Sequence, residues 1–491
     1  MKRILFISIV SLLLAGCQGP GAESGKKAAG PQLVGCSPPD GASDLAGESL
    51  TLTLTFDQNI RCTSEAKAGI SIEPSAAIDK VTAYMKDLKI ELFGLEGGCS
   101  YTIILPQGTV QGYRPDQEGS EEIRFGFSMK YIEPYVPSTL DPVKTLSNPN
   151  ASQQVRNVYN FLLEQSGIRI LSGVQSNHSN RNDFAEAVFQ HTGKHPALVG
   201  YDFIFTHYSP TPESWSWVQD YNDISAAKEQ WQNNGLVSYM WHWNVPASEA
   251  VWKNALENYG DFSGYAFYSD QTSFDIREAL KPGTWQNDFI MKDIEEVAGY
   301  LQRLEDEGIP VIWRPLHEAA GNYDLYGPNG AWFWWGRGGA EPCKELWRLL
   351  YGQLVGRYGL DNLIWVWTVD VAQGAEDQYA DWYPGDEYVD ILGVDIYADD
   401  TDAKTRQYQA LVDLVKGKRL VTVSECGNIP DPAKCMEAGN KWSWFMVWPS
   451  SDNNGNIIMT SETWPLNTAE YWKKVISSPY VINREDMPSL K

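Results

Sequence analysis

At 491 residues the chain is too long for one ordinary domain and has room for two or three, one of them the size of an eight-stranded barrel. A formal net charge of −24, with no cluster of Lys and Arg, excludes nucleic acid or an anionic membrane surface as a partner. The 20 Trp residues exceed what filling a core requires, so some of them are expected to line a binding surface.

The chain opens with MKRILFISIVSLLLAGC, in which Lys2 and Arg3 precede an apolar run and small residues lead to Cys17. This is the organisation of a secretory signal, and it is too short to span a bilayer stably. Leu14-Ala15-Gly16-Cys17 resembles the bacterial lipobox, which implies removal of residues 1–16 and a lipid on Cys17. The expectation is an exported lipoprotein anchored to the outer membrane, facing either the periplasm or the cell surface. From Cys17 to residue 31, Gly, Ala, Lys and Pro read as a flexible tether. Six cysteines remain: Cys36, Cys62, Cys99, Cys343, Cys426 and Cys435. Export permits disulfides, with Cys62–Cys99 and Cys426–Cys435 as candidate bridges, and no Cys or His spacing points to a metal site.

Residues 32–130 carry short alternating runs, LTLTLTFD, KIELFG, YTIILP and IRFGFSM, separated by Gly, Pro and Asp turns. Period-two alternation at this spacing predicts a small all-β sandwich. The opening SPPDGA and the TLTLTFDQNI and YTIILP runs resemble bacterial Ig-like domains, which implies a spacer role. Residues 131–150 hold four prolines and read as a linker.

From residue 151 to 491 the pattern becomes βα-alternating. Eight apolar, β-branched or aromatic runs follow one another: IRILSGVQ, PALVGYDF, LVSYMWHW, PVIWRPLHE, LIWVWTVD, VDILGVDIY, RLVTVSEC and WSWFMVWP. Amphipathic stretches such as FAEAVFQHTG, DIEEVAGYLQRLEDEG and KELWRLLYGQLVGRYG lie between them and stop at Gly. Strict alternation predicts a parallel sheet, and eight units fit a closed (β/α)8 TIM barrel better than an open doubly wound sheet.

The active site of such a barrel lies at the C-terminal ends of its strands, so polar residues closing the apolar runs are the first candidates. His242 falls at the end of the third run, His317 and Glu318 of the fourth, Asp370 of the fifth, Asp395 and Tyr397 of the sixth, Glu425 of the seventh, and Trp448 with Asp452 of the eighth. Two carboxylates on one rim suit glycosidic cleavage, one protonating the leaving oxygen and the other attacking the anomeric carbon or activating water. Glu318 and Glu425 are the best pair. Aromatic neighbours of Glu318 are expected to raise its pKa, and hydrogen bonds around Glu425 to keep it ionised.

The strings WRPLHEAAG, AWFWWG, WVWTVD, GVDIY and VSECG, with MWHWNVP and FMVWPSSD, closely resemble glycoside hydrolase family 26, in the family's order, over residues 150–480. The resemblance implies a retaining β-mannanase acting on mannan, glucomannan or galactomannan, with Glu318 as acid/base and Glu425 as nucleophile. It further implies that His317 positions sugar or nucleophile, Tyr397 hydrogen-bonds Glu425, Trp448 floors the site and Trp332 stacks on sugar. His242 and Arg314 match positions that hold the sugar or order the carboxylates. His317 and His242 can also be satisfied core histidines, and at least one of Trp332, Trp334 and Trp335 is expected in the core. NYDLYGPN (322–329) departs from the simplest family pattern, and Tyr323 and Tyr326 within it are candidates for narrowing the cleft. Neither cofactor nor metal is expected, and the chain is expected to act as a monomer. A β-1,3-xylanase or mixed-linkage glucanase on the same framework is the alternative, followed by a non-catalytic surface glycan-binding protein.

Overall fold

Alternation of apolar and polar residues builds the first part of the chain. The computed structural model describes residues 28–491 except 115–116, 132–134, 177–180, 207–219, 259–261, 320–330, 371–378, 452–456 and 459–464. The chain divides into two units, Met1–Val136 and Pro137–Lys491. In the first, strands Leu33–Ser37, Ser49–Phe56, Asp87–Phe93 and Ala77–Tyr84 form one antiparallel four-stranded sheet in that order. Ala42–Leu45, Ile123–Met129, Ser100–Leu105 and Ser71–Glu73 form a second four-stranded sheet, in which the first two strands run parallel and the other neighbours antiparallel. Leu52, Leu54 and Phe56 from one sheet and Tyr101, Ile103, Phe125 and Phe127 from the other share a single core. Period-two side-chain placement puts these residues on the facing sides of the two sheets.

The second unit is a closed parallel barrel. Its strands are β1 (Ile170–Gln175), β2 (Leu198–Asp202), β3 (Leu236–Met240), β4 (Val311–Arg314), β5 (Leu363–Asp370), β6 (Ile391–Ile396), β7 (Leu420–Cys426) and β8 (Trp444–Val447). Neighbours pair in chain order, and β1 pairs with both β8 and β2, which closes the ring. β1, β2, β3, β4, β6, β7 and β8 are buried at every position, as expected for parallel strands covered by helices on the outside and filled by side chains within. The eight runs picked out by apolarity are these eight strands.

Helices lie between the strands. Trp285–Asp306 is capped by Thr284, whose hydroxyl accepts from the Asn287 N–H, and it buries Phe289, Ile290, Ile294, Val297, Leu301 and Leu304 along one stripe. Asp183–Thr192 stops at Gly193, which takes a left-handed conformation (φ 83°). Ala340–Tyr351 departs from simple α-periodicity, running into a π-helical turn over Gly352–Arg357 that contains Gly352 and Gly356. No helix among the described residues is long and apolar enough to cross a membrane.

Two expectations are corrected. Residues 137–150 are not linker: Leu140 is buried in the barrel core, the Asp141 and Val143 N–H groups donate to Gly417 O (2.8 Å) and Lys418 O (3.1 Å), and the Ser147 N–H donates to Asp390 Oδ1 at 2.5 Å. Pro137, Pro142 and Pro149, among the prolines that suggested a linker, instead keep this stretch extended along the N-terminal ends of β6 and β7. The six described cysteines are all free, so neither candidate bridge is formed. Their thiols face other neighbours: Cys435 Sγ approaches Ala403 O (3.9 Å), Cys62 Sγ approaches Thr63 O (3.8 Å), and Cys99 Sγ approaches Glu96 Oε2 (4.0 Å). Cys17, Tyr323, Tyr326 and Asp452 lie outside the described residues, as does the Asp370 side chain.

Candidate active site

At the end of β4, Arg314 pairs in register with Met240 of β3. Two of the next four residues, Leu316 (φ 50°) and Glu318 (φ 53°), adopt a left-handed backbone. Non-glycine residues pay of order 1 kcal/mol for this conformation, and it persists only where the surroundings hold it. Here the Glu318 N–H donates to Thr368 O of β5 (3.1 Å), fixing the strand exit with Glu318 buried above the barrel.

Beneath it lies a charged cluster drawn from β4, β6 and β7. One Arg314 amino group donates to Asp395 Oδ2 at 3.0 Å and the other to Glu425 Oε1. The second oxygen of Glu425 accepts from the Tyr397 hydroxyl at 2.5 Å. The Ser424 hydroxyl donates to Asp395 Oδ1 at 2.9 Å and lies 3.2 Å from Thr368 Oγ1. One carboxylate oxygen from each of Glu318, Asp395 and Glu425 lies within 4.8 Å of the others.

Burial opposes charge on Arg314, but Glu425 and Asp395 outweigh it and push the guanidinium pKa above its ordinary value. Burial and the neighbouring Glu425 charge push the Asp395 carboxyl well above the usual carboxylate range, while Arg314, Ser424 and a hydrogen bond to Glu318 pull the other way. Tyr397 leaves 37% of its surface exposed, yet its hydroxyl end is enclosed, and burial together with Glu425, Glu318 and Asp395 raises its pKa well above the ordinary phenol. These three carboxylates also form a group whose oxygens could surround a cation. Arg314 already supplies positive charge to two of them, so a metal would have to displace a buried guanidinium.

His317 lies between Arg314 and Glu318 in the floor, its Nδ1 buried and without a hydrogen-bond partner among the described residues. Burial, then the Arg314 charge, then His242 push its pKa well below the ordinary imidazole, so it is neutral. Its ring sits edge-on to His242, 4.7 Å between centroids. His242, just past β3, is clamped by Asp202 at the end of β2: its backbone N–H donates to Oδ1 (3.0 Å) and its Nδ1 meets Oδ2 (2.6 Å).

The aromatic segment after β4 divides by exposure. Trp334 and Trp335 are fully buried, with indole N–H groups donating to Trp243 O (2.7 Å) and His317 O (2.9 Å). Trp332 is half-buried, and its ring centroid lies 5.3 Å from that of Phe333. Trp448 is half-buried too; its backbone N–H donates to Cys426 O (2.9 Å) and its ring lies 6.1 Å from that of His242.

The structure therefore gathers Glu318, Glu425, Arg314, His317, Tyr397, His242 and Trp448 around one rim. Arg314 is buried and occupied by two carboxylates, which removes sugar contact from its two expected roles. Asp202 was missed, although it closes PALVGYDF as the other candidates close their runs. Asp395 was seen as a strand end, but its tie to Arg314 was not.

A closed parallel barrel with two acids converging at its C-terminal rim has the machinery of a barrel glycoside hydrolase. The family model for glycosyl hydrolase family 26 matches residues 147–486, and the chain belongs to that family. A mannan endo-1,4-beta-mannosidase of Thermothelomyces thermophilus is 36% identical over 350 residues, 70% of this chain and 63% of the relative, so the chain spans a little under two thirds of that protein. The crystal structure of a beta-mannanase from a symbiotic protist of the termite Reticulitermes speratus, complexed with gluco-manno-oligosaccharide, matches at a TM-score of 0.58 and 33% identity, over 72% of this chain and 99% of that one. The GH26 domain of an endo-beta-mannanase/endo-beta-glucanase from Prevotella bryantii matches at 0.60 and 35% identity, over 70% of this chain and 99% of that one.

Proposed function

We propose that the protein is a retaining β-mannanase that cleaves β-1,4-mannosidic bonds by double displacement. The observation that carries this reading is the convergence of Glu318 and Glu425 with carboxylate oxygens within 4.8 Å, the close spacing of retaining rather than inverting enzymes. Glu425 attacks the anomeric carbon, while Glu318 gives its proton to the departing glycosidic oxygen. Water, deprotonated by Glu318, then attacks the same carbon and releases Glu425. Arg314 and Tyr397, one donor to each oxygen of Glu425, aim the nucleophile and stabilise its charge between turnovers. Trp448 and Trp332, the half-buried aromatics, offer faces on which sugar rings stack. Mannan as substrate is supported by the mannan endo-1,4-beta-mannosidase and the oligosaccharide-bound beta-mannanase to which the chain is similar.

Reducing-sugar release from mannan, xylan and mixed-linkage glucan tests this directly. Release from mannan is expected; release from xylan or glucan alone would replace the mannanase reading with the β-1,3-xylanase or glucanase one.

The leader and Cys17 support export as an outer-membrane lipoprotein, with the first unit as an Ig-like spacer and the chain acting as a monomer. Intact cells given a mannan too large to cross the outer membrane should release sugar if the enzyme faces outward, and only lysed cells should do so if it faces the periplasm. Activity in the soluble fraction of unlysed cultures, with no membrane-bound share, would remove the anchor.

A further inference from the structure

Asp202 does not touch the reacting carboxylates in any contact described above, yet it spends both oxygens on one residue. It is the last residue of β2, opposite Met240 in the β2–β3 register, so His242 sits two residues beyond its partner position. One oxygen takes the His242 backbone N–H and the other faces the ring Nδ1. The Asp202 carbonyl is fixed in turn by the Tyr221 hydroxyl (2.8 Å). Phe267, His317, Phe333 and Trp448 surround the His242 ring with centroid separations of 4.8, 4.7, 5.6 and 6.1 Å. Among the described residues, no group hydrogen-bonds Nε2.

We propose that Asp202 is a positioning residue that fixes His242 as the Nδ1–H tautomer, so that Nε2 meets the reacting sugar as a hydrogen-bond acceptor. A carboxylate only accepts, so the ring nitrogen facing it must carry the proton. In the neutral ring the other nitrogen is then a lone pair, and the aromatic walls prevent the ring from turning over. The specificity consequence is a demand for a donating hydroxyl at this point of the sugar. A site built for one hydrogen-bond polarity rejects a ligand that cannot supply it. The idea rests on reading this rim as a glycosidase site.

Asp202→Asn tests it because the amide keeps one acceptor and gains one donor. With the amide oxygen retained by the backbone N–H of His242, the NH2 group faces Nδ1 and drives the ring proton to Nε2, reversing the polarity offered to sugar. With only 6 His in the chain, 15N-histidine spectra at pH 8 can assign the tautomer without any substrate. Expected are an Nδ1–H ring in the wild type, an Nε2–H ring in Asp202→Asn, and a fall in kcat/KM of about ten- to a hundredfold in that variant. In a His242→Ala background the Asp202→Asn change should cost nothing further. A wild-type ring protonated on Nε2, or on both nitrogens, overturns the proposal. So does an Asp202→Asn loss that persists undiminished without His242, since that is a purely structural effect. If Asp202→Asn does not fold, the wild-type spectrum still decides. Failure of mannan cleavage would sink the enzymatic reading alone, because the spectra do not depend on it.

Discussion

Arg314 is the residue on which the charged cluster turns. It is buried and bridges Asp395 on β6 to Glu425 on β7 with separate amino groups. Lysine offers one compact charge and cannot serve both carboxylates with a planar fork. Arg314→Lys is therefore expected to lose about 3 kcal/mol of stability, read by denaturant titration, because one buried carboxylate is left poorly paired. An unchanged midpoint would mean that the bridge is not structural. On the proposed mechanism Glu425→Ala removes the attacking oxygen, and it is expected to lower kcat by a factor of about 10^4 or more, with oligosaccharide affinity by calorimetry largely kept. Tyr397→Phe keeps the ring and deletes only the donor to Glu425. Its kcat is expected to fall about tenfold or more with little change in melting temperature, and wild-type kcat would remove the hydroxyl from the reaction. Glu318, Glu425 and Tyr397 were legible in the sequence because each closes an apolar run, where barrels place their chemistry. The direction of Arg314 was not, since whether a strand residue points up to the cleft or across to its neighbours depends on pleat and register.

At the scale of elements, the eight strands were legible because each is buried and so reads as a continuous apolar run. Partnerships between strands were not: Asp202 with His242, and Arg314 with Asp395, join residues 40 and 81 positions apart. A similar tie supports the back of the aromatic segment. Asp293, buried on helix Trp285–Asp306, accepts from the indole N–H of Trp243 at 2.7 Å, and Trp243 stacks on Trp241 and packs edge-on against Trp334. Burial pushes the Asp293 carboxyl well above its ordinary 3.8, with Glu296 adding to the rise and the Trp243 bond opposing it. The folded chain thus keeps a proton that the unfolded chain releases above pH 3.8, and the contribution of Asp293 to stability declines as pH rises through that window. Asp293→Asn removes the titration and retains an acceptor for Trp243. It should match the wild type near pH 4 and become progressively more stable toward neutrality, by up to about 1.4 kcal/mol per pH unit. Parallel melting curves across that range would show that this carboxyl ionises without penalty in the fold.

On the scale of the whole molecule, the two units have separate cores, which predicts that the barrel folds without the first. A chain beginning at Pro137 is expected to keep the barrel's melting temperature and, on the proposed activity, the rate on mannan shown by the 491-residue chain. One beginning at residue 151 loses Leu140 from the core and the backbone bonds of Asp141, Val143 and Ser147, and should be several kcal/mol less stable. Equal stability of the two shortened chains would return residues 137–150 to the role of connector. The linker was misread because proline content reports an extended backbone, not whether that backbone is docked. The unbridged thiols carry a consequence of a different kind. Burial pushes the Cys343 and Cys435 thiols up to about 12, so neither offers a reactive thiolate at neutral pH. Maturation of the barrel should then require no oxidising machinery: refolding yields with and without dithiothreitol should coincide, and cytoplasmic production of a chain beginning at Pro137 should give the same specific activity as the exported chain.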